Sequence, residues 1–211
     1  LNVMRSKNLL HLPILDQHGV VVGLEILQDV LFRIPRENPV LLMAGGFGRR
    51  LYPLTRDVPK PLLPVGEKPI LQMILEQLAD TGFSKFFLSV HYRSEQVMEH
   101  FGDGSRWGVN IEYLQEEQPL GTAGALSLLD PDALTQPLVM MNADLLTSLD
   151  FSQLLDYHST HKGLATVCVR EYDFQIPYGV VRGDGSRVVE IVEKPIQTFF
   201  INAGIYVLEP A

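Results

Sequence analysis

The stretch Val40-Leu-Leu-Met-Ala-Gly-Gly-Phe-Gly-Arg-Arg-Leu51 decides how this chain is read. An apolar run over 40–44 has the length and character of a buried strand. A glycine-rich segment, Gly45-Gly-Phe-Gly48, follows at once, and two arginines come directly after it. Glycines let the backbone turn sharply and approach an anion with no Cβ in the way. Successive N–H groups in such a turn can cradle phosphate oxygens, and guanidinium forks match phosphate geometry. Two better-known glycine motifs do not fit. The dinucleotide fingerprint requires a third glycine where Leu51 stands, and the P-loop requires Gly-Lys-Ser/Thr where Arg49-Arg50 stands. The glycines alone leave two readings open: a phosphate loop, or a turn with surface arginines.

Downstream, residues 51–69 carry Pro53, Pro59, Pro61, Pro64 and Pro69. Proline density of this kind predicts an extended, well-fixed loop rather than a helix. Lys60 sits between two of these prolines, on a stiff backbone. Positive charge is concentrated here. Residues 45–68 hold Arg49, Arg50, Arg56, Lys60 and Lys68 against Asp57 and Glu67, in a chain whose formal net charge is −8.

Beyond the loop the pattern alternates. Helices are predicted over 70–81, 94–101, 122–129 and 151–161, and strands over 86–90, 111–114 and 138–142. After 161 the chain turns β-rich, with strands expected near 164–170, 179–181, 188–192 and 200–208. Upstream, apolar runs at 12–16 and 20–22 flank Gly19 and read as a hairpin. Residues 23–34 have near-helical apolar spacing, and a boundary is expected near 35–39. Alternating strands and helices imply an α/β domain with a mixed, mainly parallel sheet in a three-layer α/β/α arrangement.

The chain has 211 residues, of which 46% are hydrophobic and 20% charged. That balance suits a folded domain plus a little more and argues against disorder. The acidic balance disfavours a nucleic-acid binder. No apolar run reaches the roughly 18–20 residues that span a bilayer. Cys168 is the single cysteine, so an intrachain disulfide and a Cys-x-x-Cys pair are both excluded. These features suit a cytoplasmic protein. They bear on neither membrane nor nucleic-acid partners beyond disfavouring them, and they are compatible with a homo-oligomer. The first residue is Leu1, within what reads as structure, so a fragment of a longer protein is expected.

Taken together, Gly45-Gly-Phe-Gly-Arg-Arg-Leu-Tyr-Pro-Leu-Thr55 and Pro59-Lys-Pro61 resemble the signature of the sugar-1-phosphate nucleotidylyltransferases. The resemblance continues through Pro119-Leu-Gly-Thr-Ala-Gly124, Asn142-Ala-Asp144, Tyr178-Gly179, Glu193-Lys-Pro195 and Asn202-Ala-Gly-Ile-Tyr206, and covers about 39–211. It implies a Rossmann-like nucleotidyltransferase domain that joins an NTP to a sugar 1-phosphate and releases pyrophosphate, helped by Mg²⁺. Pro119–Gly124 is most similar to the mannose-1-phosphate guanylyltransferase branch, which favours GTP.

The same resemblance assigns roles. Ala44, Gly45, Gly46, Gly48 and Arg49 would meet the nucleotide, with Gly121 and Thr122 around its base and ribose. Arg50 and Lys60 would neutralise phosphate charge, and Asp144 would ligate the metal. Tyr178, Gly179, Glu193, Lys194, Asn202 and Gly204 would surround the sugar phosphate. Glu116 and Glu117 could receive guanine N–H groups.

Three departures stand out. Arg49 occupies a position where the family often has Thr, Ala143 replaces a frequent Gly, and the family's usual second metal-binding Asp has no counterpart before the chain ends at Ala211. The domain is therefore expected to be truncated. The alternatives are a nucleotide-sugar sensor without turnover and transfer to a non-sugar phosphate acceptor. Residues 1–35 resemble the end of a CBS-type module. His158 and His161 lack a third ligand and are expected to face solvent. Cys168 should be buried and inert, and Trp107 should pack a loop.

Overall fold

The computed structural model describes residues 9–26 and 35–210. Its centre is a six-stranded sheet in the order β7-β6-β3-β8-β12-β9. The strands are β3 (Val40–Met43), β6 (Lys85–Val90), β7 (Asn110–Gln115), β8 (Leu138–Asn142), β9 (Ala165–Gln175) and β12 (Ile196–Leu208). β3 pairs in parallel with β6 and β8, and β6 with β7. β12 is antiparallel to both β8 and β9, so it alone runs against the other five. The expected mixed, mainly parallel sheet is what forms.

Side-chain alternation divides the core in two. On one face Val40, Leu42, Phe86, Leu88, Val139 and Met141 are buried against helices α1 (Ile70–Asp80), α2 (Ser94–Phe101) and α3 (Phe151–His161). Helix α1 contributes Leu71, Ile74, Leu75 and Leu78, the stripe its spacing predicts. On the other face Leu41, Phe87, Leu138 and Met140 pack under Ala125 and Leu129. This second cover is thin. The helix expected over 122–129 is a 3-10 segment, Gly124–Leu128, followed by another at Pro131–Ala133. Pro131 ends any regular helix before it gains the length needed for stability.

Chain order positions the site. From β3 the chain crosses through α1 to β6 and through α2 to β7, always to one side. It then returns to place β8 on the opposite side of β3. In the proline-rich loop, short 3-10 turns at Arg49–Leu51 and Lys60–Leu62 precede a two-residue hairpin of β4 (Pro64–Val65) and β5 (Lys68–Pro69).

Past Asn202, β9 and β12 continue as a two-stranded ribbon, Asn202 opposite Val169 and Ile196 opposite Gln175. The hairpin of β10 (Gly179–Asp184) and β11 (Arg187–Glu193) connects them. These strands are longer than the apolar runs that mark them in the sequence.

At the other end, β1 (His11–Leu15) and β2 (Val21–Ile26) form the expected hairpin, with Asp16 Oδ1 accepting from the backbone of His18 and Val20 at 2.8 and 2.9 Å. β2 runs to Ile26, so a helix starting at Gly23 is corrected; the rest of that expectation, 27–34, lies outside the described residues. The 35–39 segment is tied to the domain. Arg36 donates its backbone N–H to Gly82 O at 2.9 Å and its Nε to Thr81 O at 3.2 Å, and its Nη2 bonds Ser152 Oγ.

His158 is a second correction. It is 1% exposed, not solvent-facing, with Nδ1 2.8 Å from Thr166 Oγ1 and Nε2 3.1 Å from Glu209 Oε1. It takes the next place on the buried stripe Phe151, Leu154, Leu155. His161 is exposed, as expected. Trp107 packs on Phe101 and donates to Glu76 at 3.2 Å. Cys168 is half-buried against the core rather than fully buried, and burial raises its thiol pKa, which disfavours the reactive thiolate.

Candidate active site

Met43 lies opposite Asn142 where the parallel strands β3 and β8 end. Residues 44–48 and 143–144 therefore emerge side by side on one edge of the sheet. The chain leaves β3 and β8 at the point where strand order reverses, and such a switch point opens a crevice. Here it is a cleft of about 470 Å³. It gathers Ala44, Gly45, Gly46, Gly48, Arg49 and Arg50 from the glycine loop, Lys60 from the proline loop, Gly121 and Thr122 from the 116–122 loop, and Asp144 after β8.

The glycine loop is shaped by its neighbours. Gly48 has φ 64°, a left-handed conformation that costs a residue with a Cβ about 1–2 kcal/mol. A Cβ there would also lie 2.8 Å from Thr55 Cγ2 and 3.1 Å from Lys60 Cβ. Thr55 is buried, and its Oγ1 donates to Gly48 O at 3.1 Å. Gly48 thus lets the loop close down on the segment that carries Lys60. Gly45 has a different constraint. A Cβ on it would lie 2.8 Å from Glu116 Oε1.

Glu116 is buried at the wall of the cleft. Its Oε1 accepts from Ser89 Oγ on β6, and its Oε2 accepts from the Leu120 N–H at 3.0 Å. One carboxylate therefore ties β6 to the 116–122 loop and stands close against Gly45 of the glycine loop. The sequence offered Glu116 as a base-binding group; its hydrogen bonds show a scaffolding part that a partner 27 residues away hides from local inspection. Glu117 is exposed and is not among the cleft-lining residues.

The charges sort unequally. Lys60 Nζ bonds Asp144 Oδ2, and both side chains are about one-third exposed. Among the described residues, Arg49 and Arg50 have no carboxylate partner. Arg49 instead lies with its Cζ 5.0 Å from the centre of the Phe47 ring. Phe47 in turn meets His91 edge-on at 5.2 Å and Tyr92 at 5.7 Å. This aromatic group carries no glycine or charge signature and was not legible as part of the site. The cleft thus presents two unpaired guanidinium groups beside a lysine–aspartate pair, an arrangement suited to a polyphosphate.

Asp144 is the sole predicted metal ligand. Among the described residues no group of three or more His, Cys, Asp or Glu side chains is assembled to hold a metal ion. A single carboxylate is compatible with Mg²⁺, which usually keeps several waters and takes substrate phosphates as ligands.

The expected sugar-side residues lie outside the cleft-lining set. Asn202 and Gly204 are near its edge: a Cβ on Gly204, at φ 75°, would lie 2.5 Å from Asn142 Nδ2. Asn202 accepts from the Gly204 N–H at 2.8 Å and donates to the Tyr206 hydroxyl at 2.7 Å. Tyr178, Gly179, Glu193 and Lys194 come together at the root of the β10–β11 hairpin. Gly179 pairs with Glu193, and the Lys194 N–H donates to Tyr178 O at 3.2 Å. Tyr178 is 74% exposed. This group stands beyond Ile196, roughly 20 Å of strand from Asn202 at ~3.3 Å per residue.

A family model described as nucleotidyl transferase matches residues 39–211, which include every cleft residue. The chain belongs to the nucleotidyl transferase family. A probable mannose-1-phosphate guanylyltransferase 1 of Oryza sativa subsp. japonica is 38% identical over 180 residues, covering 81% of this chain and 50% of that protein. A mannose-1-phosphate guanyltransferase of Saccharomyces cerevisiae is 37% identical over 179 residues, covering 81% and 49%. The chain spans about half the length of these relatives.

Among solved structures, a putative glucose-1-phosphate thymidylyltransferase from Bacillus anthracis superposes with a TM-score of 0.64 at 26% identity, over 82% of this chain and 71% of that one. HddC from Yersinia pseudotuberculosis gives 0.62 at 28%, over 82% and 77%. The match confirms the α/β fold and its family. No helix among the described residues is long and apolar enough to cross a membrane.

Proposed function

We propose that this domain transfers a nucleotidyl group from an NTP, with GTP preferred, to a sugar 1-phosphate, giving an NDP-sugar and pyrophosphate. The carrying observation is the meeting of the Gly45–Gly48 loop, Arg50, which has no carboxylate partner among the described residues, and the Lys60–Asp144 pair in one cleft at the strand switch point. The relatives named as mannose-1-phosphate guanylyltransferases support GTP and mannose 1-phosphate as first substrates to try.

A phosphate oxygen of the sugar 1-phosphate attacks the α-phosphorus. The bond to the bridging oxygen breaks, and pyrophosphate leaves with the electron pair. Such a transfer needs positioning and charge neutralisation more than covalent catalysis. Main-chain N–H groups of the glycine loop and Arg50 bind the triphosphate. Lys60, which lines the cleft beside Asp144, would move from that carboxylate to the phosphates. Asp144 would hold Mg²⁺ together with the phosphates; the ion would supply charge neutralisation. Gly121 and Thr122 border the base and ribose. Asn202 and Gly204 border the sugar, and Tyr178, Gly179, Glu193 and Lys194 would meet it only with the ribbon folded over the cleft. The thiol content and the substrates fit a cytoplasmic setting. On sequence resemblance alone, we also propose that residues 1–35 are the end of a CBS-type module.

The test is incubation of the protein with GTP, Mg²⁺ and mannose 1-phosphate, alongside the other NTPs and sugar phosphates, with chromatography of the nucleotide products and a pyrophosphate assay. An NDP-sugar and pyrophosphate in equal amounts, lost in Asp144→Asn, are expected. NTP binding without product under every combination would replace the enzyme reading with that of a sensor.

A further inference from the structure

We propose that Arg49 is a second grip on the pyrophosphate end of the nucleotide, separate from Arg50, and that it makes the protein hold pyrophosphate and triphosphates tightly while leaving monophosphate binding untouched. The inference rests on the cleft being an NTP site and assigns the recognition of its distal phosphates.

Three observations lead there. First, the charge at the cleft is unevenly compensated. The lining residues include three cations, Arg49, Arg50 and Lys60, and two carboxylates, Glu116 and Asp144. Lys60 is matched by Asp144, and Glu116 is turned to Ser89 Oγ and the Leu120 N–H. The two arginines are left without a counter-ion among the described residues. An anion bearing more than one charge supplies counter-charge to both.

Second, Arg49 is held without using its donors. Its guanidinium lies over the Phe47 ring, 5.0 Å from the centroid. A cation over a ring face is attracted through the π system, which leaves the five in-plane N–H groups available to oxygen acceptors. Phe47 is itself braced by His91 and Tyr92. The side chain therefore has a mounting on the cleft wall, where a lone surface arginine would sample many rotamers.

Third, the backbone beneath it is fixed. Gly48 at φ 64° starts the 3-10 turn, and the Leu51 N–H donates to Gly48 O at 2.9 Å. Thr55 pins the same carbonyl. Arg49 and Arg50 are thus successive residues of one short turn, and both line the cleft. Two guanidinium forks are matched by two phosphate groups, the β and the γ, one to each.

The test measures binding of inorganic pyrophosphate, GTP and GMP to the protein by calorimetry, without turnover, for the wild type and for Arg49→Thr, Arg49→Lys and Phe47→Leu. Charge-assisted bonds of this kind predict that Arg49→Thr weakens pyrophosphate and GTP about tenfold or more, with GMP unchanged. Arg49→Lys should recover part of the loss. Phe47→Leu, which keeps the charge but removes the mounting, should lose about two- to fivefold on the same two ligands. Circular dichroism of each variant checks that it folds. If Arg49→Thr binds all three ligands as the wild type does, or weakens GMP as much as GTP, the assignment is overturned while the NTP site stands. If the wild type binds none of the nucleotides, the nucleotidyl-transfer reading fails with it.

Discussion

Two adjacent glycines should respond oppositely to the same substitution. In Gly45→Ala the new Cβ would lie 2.8 Å from Glu116 Oε1 and 3.1 Å from its Cδ. Ordinary contact is about 3.5 Å, so something must move by roughly 0.5 Å or more. The end of a glutamate usually yields easily, but this one is buried and bonded through both oxygens, to Ser89 and to the Leu120 N–H. Relief requires straining one of those bonds or shifting the glycine loop. Overpacking of this kind costs about 1–3 kcal/mol. At roughly 2–4 °C per kcal/mol for a chain of this size, the melting temperature should fall by several degrees.

A Cβ on Gly46 meets nothing within 4 Å. Gly46→Ala should therefore change stability by under about 0.5 kcal/mol, or raise it slightly by reducing unfolded-chain entropy. Urea denaturation followed by tryptophan fluorescence gives both values. The decisive arm is Gly45→Ala in a Glu116→Ala background, where the cost should largely vanish and yield a coupling of about 1 kcal/mol or more. Equal destabilisation by the two alanines, or an undiminished cost without Glu116, would refute the steric reasoning.

Three further outcomes follow from the structure. The Lys60–Asp144 pair is partly exposed, and such pairs contribute about 1 kcal/mol or less; Lys60→Met should barely change the urea midpoint yet slow transfer about 10²–10³-fold in steady-state assays. His158→Ala should cost about 1–3 kcal/mol by removing a buried side chain bonded to Thr166 and Glu209, whereas His161→Ala on the exposed face should stay within about 0.5, both read from denaturation curves.

Asp150→Ala should cost about 0.5–2 kcal/mol at neutral pH, because Asp150 Oδ1 accepts from the N–H groups of Ser152 and Gln153 and caps α3. Desolvation pushes the Asp150 carboxyl up, but those N–H groups, the Ser152 hydroxyl and Arg36 together hold its pKa below the ordinary value. A lowered carboxyl pKa stabilises fully above the unfolded value of about 3.9 and ceases to do so as pH falls through the folded value. The gap between the wild-type and Asp150→Ala stability curves should therefore narrow in acid; a gap of unchanged size there would contradict the charge-assisted part of the cap.

What the sequence discloses depends on how local each cause is. The apolar runs of β3 and β8 and the stripe of α1 depend on neighbours within a few residues, and each element forms where its pattern places it. His158 shows local information masked by residue type. Its position continues the buried row Phe151, Leu154, Leu155, but a histidine reads as polar until Thr166 and Glu209 are brought to it. Residues 124–128 are apolar enough for a helix, and their 3-10 form reflects a segment cut short by Asp130-Pro131. At 23–26, a short apolar run fits strand and helix alike, and pairing with His11–Ile14 settles it as strand.

The site follows the same division. Its glycines, its stiffly mounted lysine and its arginines are readable because their chemistry lies in type and spacing. Their electrostatic state is not. Counting charges over 45–68 shows an excess of cations, but a count treats Lys60, Arg49 and Arg50 alike. Folding brings Asp144 to Lys60 from 84 residues away and brings no carboxylate to either arginine among the described residues. An uncompensated guanidinium can take up a phosphate without first surrendering a partner, whereas Lys60 must exchange one. On the proposed function, the arginines are therefore the groups suited to capture a nucleotide, and Lys60 and Asp144 the groups that would rearrange once it has arrived.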